Sequence, residues 1–450
     1  MANLLLCKDF FRNNLSIEGL VFLCAALLPW QFFLKVYGRI DLPATVFIVF
    51  FGFFVTLIKA DSTKFSLKLR MPILGYLLIL AGMGLSSLFL SDSLHEPLNV
   101  LGRLGVGFLI LLIISYSSIK INTDAVVKVF LFSTIPLGIM GIVFFIIPEM
   151  EAEWLNIIAG VLIETDSLAE HSNVWDINKI GVVFSNANVG AAYWGMSMWL
   201  ALWMRERHAN LSRLIYTLFA VTFCLNVMYS GSRGGLLVLL ATTFITFAVR
   251  FFSGPGKKHE KTEAVKNTLI ILITVGLAFF IDTGLQRNIY AKMIDRTLNE
   301  TKIDKQSLEL SSDGKPPSRK MLWAHSIKVI SKAPLSGYGI VKLSDLGFPD
   351  RYPPHNMYMQ IWIYGGAAAM IGTILLFGSV LISQFNLLKI YKDAWIGIVL
   401  ILWIVLHGMF ENIIIENYRI SMLLWLMISL LLWNYKELSV PGVNNEEQYA

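Results

Sequence analysis

Three cations and a histidine stand where apolar runs of this chain meet polar segments. Arg233 lies within Tyr229-Ser230-Gly231-Ser232-Arg233-Gly234-Gly235, at the junction of two apolar runs. An arginine beside hydrocarbon is costly unless it is paired or reaches water. Flanking glycines let backbone approach a ligand and offer N–H groups to an anion. A guanidinium keeps its charge and gives a phosphate two parallel hydrogen bonds. A snorkelling arginine at a helix end is the plainer reading of the same residue. His355 follows Pro353-Pro354 and precedes Asn356, where the chain re-enters an apolar run. Imidazole can accept a proton near neutral pH, and two prolines restrict its approach; alternatively it caps the next helix. Arg319 opens a helix expected over Ser318–Lys332, either as a phosphate or sugar clamp or as a solvated charge. That helix is followed by the turn Pro334-Leu335-Ser336-Gly337-Tyr338-Gly339. Lys179 stands just before Gly181–Asn188, as an interfacial anchor or a further binding cation.

Other patterns carry less. His407 and Glu411 are four apart on an expected helix, but two ligands do not make a metal site; hydrogen bonding across a bundle is the better reading. The acidic run Glu149–Glu153 reads as solvated surface. The sequence shows no phosphate-binding glycine loop, Asp-rich metal motif or paired catalytic carboxylates. No metal or cofactor is expected, and arginines are left to carry the positive charge.

The elements that must position these residues are membrane helices. The chain is 56% hydrophobic and only 15% charged, with mean hydropathy +0.63, far from the composition of a soluble domain. About twelve runs approach the length that crosses a bilayer, near 16–34, 42–58, 71–90, 100–118, 125–147, 183–204, 211–229, 234–252, 267–282, 357–384, 394–411 and 418–435. The expected fold is an all-α polytopic membrane protein. Residues 1–282 hold helices 1–9 with an acidic outer loop near 148–182, and residues 283–356 form a large, partly helical external loop. Residues 357–435 hold helices 10–12, and 436–450 form a cytoplasmic tail. Within the large loop an interfacial helix is expected near Leu285–Ile294, and Trp323, Ile327 and Ile330 should share one side of the second helix. Lys and Arg collect in alternate short loops, among them Lys64, Lys68, Arg205, Arg207, Arg213, Lys257 and Lys389. By the positive-inside rule these are cytoplasmic and the large loop is external. The same rule explains the net charge of +6 without nucleic acid, since no basic, aromatic-interleaved soluble module is present. Three scattered cysteines give no disulfide framework. The first run, with no cleavage signal after it, reads as a retained helix.

Taken in order, these segments resemble the bacterial O-antigen ligase and polymerase superfamily. The likeness rests on the Ser-Arg-Gly segment at Arg233, Ser318-Arg319 with Trp323, the Pro334…Gly337-Tyr338-Gly339 turn, and His355-Asn356 followed by Gly366. Phe184-Ser185-Asn186-Ala187-Asn188-Val189-Gly190 also resembles a family segment, although an arginine commonly precedes it and Lys179 stands near that place here. Lysine keeps the charge without the bidentate fork. The resemblance covers roughly 178–410; the first five helices match only as apolar spans. It implies a metal-independent, inverting membrane glycosyltransferase with a glycan donor on undecaprenyl diphosphate, in the inner membrane, acting at the periplasmic face. The acceptor is implied to be a hydroxyl of lipid A–core for a ligase, of another glycan repeat for a polymerase, or of a protein side chain. The ligase is the favoured member and the repeat-unit polymerase its alternative; a lipid-glycan transporter is the rival from another class. On this resemblance His355 and Arg233 are the catalytic residues, and Arg319, Asn356, Lys179 and Tyr338 bind substrate.

Overall fold

The computed structural model describes residues 17–30, 33–36, 40–59, 70–91, 95–116, 121–158, 182, 184, 186–252, 258–292, 318–349 and 352–437. Lys179, the acidic segment 159–181 and the middle of the large loop, 293–317, lie outside the described residues.

Helices dominate. In chain order they are α1 (Ile17–Leu27), α2 (Ala44–Lys59), α3 (Arg70–Leu90), α4 (His95–Tyr116), α5 (Thr123–Ile146), α6 (Glu149–Ile158) and α7 (Ala187–Arg207). Then follow α8 (Asn210–Tyr229), α9 (Arg233–Phe252), α10 (Lys258–Gly284), α11 (Arg319–Lys332), α12 (Met357–Leu388), α13 (Trp395–His407), α14 (Ile413–Glu416) and α15 (Tyr418–Glu437). Among the described residues seven helices are long and apolar enough to cross a membrane: α3, α4, α5, α8, α9, α10 and α12. Three further apolar helices are shorter, at Ile17–Leu27, Ala44–Thr56 and Tyr418–Leu432.

Several expectations need correction. The first run does not continue as helix to residue 34. Pro29 disfavours helical backbone in the residue before it, α1 stops at Leu27, and the chain returns as an antiparallel hairpin of β1 (Phe33–Val36) and β2 (Ile40–Pro43), with Phe33 opposite Pro43. α10 begins at Lys258, well before the expected residue 267. Its charged first turns are paired: Glu263 meets Arg205, Arg213 and Lys266 at 2.8, 2.5 and 2.9 Å. Glu206 meanwhile receives Arg250 through two bonds of 2.6 and 2.9 Å. Satisfied charges let a helix run where composition alone suggests a loop. α13 ends at His407, so Glu411 sits in a turn. On α11 the buried residues are Leu322, Ser326 and Val329, while Ile327 is exposed. The inward stripe thus runs through Leu322, Ser326 and Val329 rather than through Ile327. Of the proposed interfacial helix, residues 289–292 form a helical turn, with Ile289 and Tyr290 buried and Leu285 exposed. Glu151 is not solvated: it is buried and accepts a hydrogen bond from Val182 N at 3.2 Å.

Two features hold the bundle together around the site. α7 is its central helix, buried continuously from Val189 to Arg205 and packed against α5, α8, α9, α13 and α15. α3 and α12 lie almost backbone to backbone. A Cβ on Gly75 would meet Leu376 N at 2.6 Å, and one on Gly372 would meet Gly75 O at 2.6 Å. Small residues permit this approach, which is how helices associate where lipid removes the hydrophobic drive. Successive helices alternate in direction, so the starts of α7, α9, α12 and α15 gather at one end of the bundle. The ion-pair network of Glu206 and Glu263 lies at the opposite end.

Candidate active site

The gathered helix starts build one hydrogen-bonded cluster from four separate parts of the chain. Asn186 caps α7, its side-chain oxygen accepting from Asn188 N at 2.8 Å. That leaves its amide nitrogen to donate to Glu411 Oε2 at 3.1 Å, and Asn188 Nδ2 donates to the same oxygen at 2.7 Å. Asn188 Oδ1 accepts from Ser232 Oγ at 2.5 Å, and Ser232 Oγ accepts from Gly235 N at 2.9 Å. Ser232 thus caps α9 in the manner usual for serine. Gly231, at φ +64°, makes the turn that delivers it, and Arg233 is the first residue of α9, partly exposed.

On the other side of Glu411 is His355. Its Nδ1 lies 2.9 Å from Glu411 Oε1, with the carboxylate side chain 1% exposed and the imidazole 25% exposed. His355 has φ +46°, a left-handed conformation rare for a residue with a Cβ. Such outliers persist when the surroundings enforce them. Here Pro353-Pro354 precede it. Asn356 follows as the cap of α12, its Oδ1 accepting from Tyr358 N and Met359 N, each at 3.1 Å. Asn356 Nδ2 donates to Met409 O at 3.3 Å and Met357 N to Gly408 O at 2.7 Å. These bonds tie the start of α12 to the turn that carries Glu411.

The carboxyl of Glu411 is held below its ordinary range. Burial by itself would raise it, but the charge and hydrogen bond of His355, the Asn188 amide and the charge of Arg319 together lower it further. An ionised carboxylate can only accept. His355 Nδ1 must therefore carry a proton, which makes Nε2 the basic nitrogen of the neutral ring.

Arg319 enters from the loop side. Ser318 caps α11, its Oγ accepting from Met321 N at 3.4 Å. The guanidinium carbon lies 5.8 Å from the ring centre of Phe410. Phe410 in turn packs on α9: a Cβ on Gly234 would stand 3.0 Å from Phe410 Cβ. One turn into α11, Trp323 Nε1 donates to Pro354 O at 3.1 Å. The helix of Arg319 is thereby bound to the segment that presents His355, and Phe410 links Arg319 to the residue beside Arg233.

Four of the six expected residues, His355, Asn356, Arg233 and Arg319, come together at this end. Tyr338 does not join them; its N–H donates to Ile363 O at 2.8 Å and its hydroxyl to Val329 O at 3.3 Å, roughly two helical turns along α12 from Asn356. Lys179 lies outside the described residues. Asn356 has both ends of its amide engaged with backbone, a role that orients His355. Sequence reasoning missed Glu411 as the partner of His355, together with the Asn186, Asn188 and Ser232 chain behind it. A signal was present: a carboxylate within a strongly apolar stretch demands a partner. Glu411 meets His407 through the backbone, Glu411 N donating to His407 O at 3.0 Å, and its side chain turns across the bundle. Among the described residues no group of three or more His, Cys, Asp and Glu is placed to hold a metal ion.

At one end of a bundle of apolar helices, the cluster thus joins a carboxylate-backed histidine to two arginine-bearing helix starts. Residues 218–376 match the family model of O-antigen ligase, which supports a kinship with the O-antigen ligase superfamily. The matched residues include Arg233, all of α11 and the His355–Gly366 stretch. A search of curated proteins finds no match.

Proposed function

We propose that this protein is a membrane glycosyltransferase of the O-antigen ligase type, moving a glycan from undecaprenyl diphosphate to a sugar hydroxyl of lipid A–core. The observation that carries the reading is the continuous path from His355 through Glu411, Asn188 and Ser232 to the start of α9. It sets a base and a cation-bearing helix start in one frame, within the region that matches the family.

In this reaction the acceptor hydroxyl gives its proton to His355 Nε2 as its oxygen attacks the anomeric carbon. The bond from that carbon to the diphosphate oxygen breaks on the opposite face, and the diphosphate departs with the electron pair. The configuration inverts. The transition state has the oxocarbenium character of glycosyl transfer, and negative charge grows on the leaving group. Arg233 and Arg319 interact most strongly when that charge is largest, which is the condition for catalysis. Glu411 keeps Nε2 as the basic nitrogen and offsets the imidazolium that forms. The alternation of helix directions and the basic residues at the far end support placing the site at the external, periplasmic face.

The test uses purified protein in nanodiscs with an undecaprenyl-diphosphate-linked glycan, with and without lipid A–core. Glycan on lipid A–core, lost in Arg233→Ala and His355→Ala, is the expected result. Longer lipid-linked glycans without the core acceptor would mean a polymerase. No transfer by folded protein under either condition would refute the enzyme reading and favour transport.

A further inference from the structure

α12 is broken at Gly366, where the backbone takes φ +59° and ψ −156°, a region open essentially to glycine alone. In an unbroken helix Ala367 N would donate to Ile363 O, four residues back. Instead Ala367 N donates to Leu335 O at 3.1 Å, and Ile363 O receives Tyr338 N at 2.8 Å. Gly339 N donates to Tyr364 O at 3.0 Å. The segment that follows α11 is thus threaded into the break and takes over the helix's own hydrogen bonds.

The same segment is held from its other side by α3. Ser86 Oγ donates to Ser336 O, Ser91 Oγ donates to Ile340 O at 2.7 Å, and Ser87 Oγ accepts from Ile340 N at 2.8 Å. The fit leaves no space for side chains. A Cβ on Gly366 would lie 2.1 Å from Leu335 O, and one on Gly337 would lie 2.6 Å from Gly366 N. Trp362 Nε1 donates to Pro334 O at 2.9 Å, closing the junction between the end of α11 and α12.

Both helices joined here carry the proposed chemistry at their other ends: Arg319 opens α11, and His355 immediately precedes the cap of α12. We infer that Gly366, with the segment Leu335–Ile340 stapled into its break, is a positioning device that sets where Arg319 stands relative to His355. It thereby sets the donor diphosphate against the base. This rests on the roles of Arg319 and His355 proposed above. Tyr338 belongs to this staple, which accounts for its distance from the cluster.

The experiment is a double-mutant cycle in nanodiscs. Gly366→Ala and, separately, Ser87→Ala are made in wild-type and Arg319→Ala backgrounds, and kcat, donor KM and the pH profile are measured with the undecaprenyl-diphosphate-linked glycan. Small misplacements of a binding group cost on the order of 100-fold. Gly366→Ala is expected to lower kcat/KM about 10- to 100-fold with a raised donor KM and an unmoved pH profile. In the Arg319→Ala background it should add less than about threefold, because coupled residues are not additive. Ser87→Ala should act in the same direction more weakly, and it carries the test if Gly366→Ala does not fold. Equal losses in both backgrounds, or a displaced pH profile, would overturn the inference alone. Wild-type transfer by Arg319→Ala would overturn the assignment of Arg319 and this inference with it.

Discussion

Replacing Glu411 by glutamine tests the chemical logic of the cluster most directly. Glu411 accepts four hydrogen bonds, from His355 at 2.9 Å, Asn412 N at 3.3 Å, Asn186 at 3.1 Å and Asn188 at 2.7 Å. Glutamine is nearly isosteric but has one accepting oxygen and one donating nitrogen. Two asparagine amides already point at the Oε2 position, so the carbonyl oxygen of the substituted side chain must settle there. Its NH2 then faces His355 Nδ1 and can only donate. The ring is forced to carry its proton on Nε2, the nitrogen that has to accept one. The imidazolium formed in the reaction also loses its counter-charge. A hydrogen bond to a charged group contributes about 1.5–3 kcal/mol, equivalent to roughly 10- to 150-fold in rate. Where an amide replaces the carboxylate behind the histidine of a serine hydrolase, the wrong tautomer costs about 10⁴-fold. Glu411→Gln should therefore lower kcat by about 10²- to 10⁴-fold. Donor KM should stay within about threefold, because Arg233 and Arg319 are untouched. Single-turnover transfer from a labelled lipid-linked glycan in nanodiscs, with folding checked by size exclusion and thermal melting, measures both. A kcat within about threefold of wild type in folded protein would refute the assignment of His355 as a base oriented by Glu411.

Three further outcomes follow from the same structure. Arg233→Ala should lower kcat/KM about 10²- to 10³-fold, and Arg233→Lys should recover part of that loss by restoring charge without the bidentate fork; steady-state kinetics with varied donor checks it. The lowered carboxyl of Glu411 stabilises the fold fully above the unfolded-state value near 4.5, and that contribution is lost as pH falls through the lowered folded value. The melting-temperature difference between wild type and Glu411→Gln should thus shrink as pH falls below about 4. At the far end, Glu263→Ala leaves Arg205, with a side chain only 7% exposed, short of its carboxylate. The cost should be about 3–5 kcal/mol of stability, read by denaturant unfolding, while the kcat of the folded fraction stays at the wild-type level.

Much of this arrangement can be read in the chain itself because its causes are local. Apolar run length marks the helices, and a glycine-flanked Arg233, a proline-led His355 and a capped Ser318-Arg319 each announce themselves within a few residues. Asn356 follows as the natural cap of α12. Where such readings fail, a distant partner has intervened. α10 starts early because Arg205 and Arg213 neutralise Glu263 across 58 and 50 positions. The face of α11 is set by what α12 and the Leu335–Ile340 segment offer it. Tyr338 is drawn to the break at Gly366. Glu411 is the clearest case: its bonds to His355, Asn188 and Asn186 span 56, 223 and 225 positions. Hydrophobic periodicity, turn chemistry and capping are properties of neighbours along the chain, so the membrane bundle and most of the residues that could do chemistry are already legible there. Which nitrogen of His355 is basic, and what holds Arg319 beside it, depend on groups from remote parts of the chain. Those groups meet only when α7, α9, α12 and the turn after α13 pack at one end of the bundle.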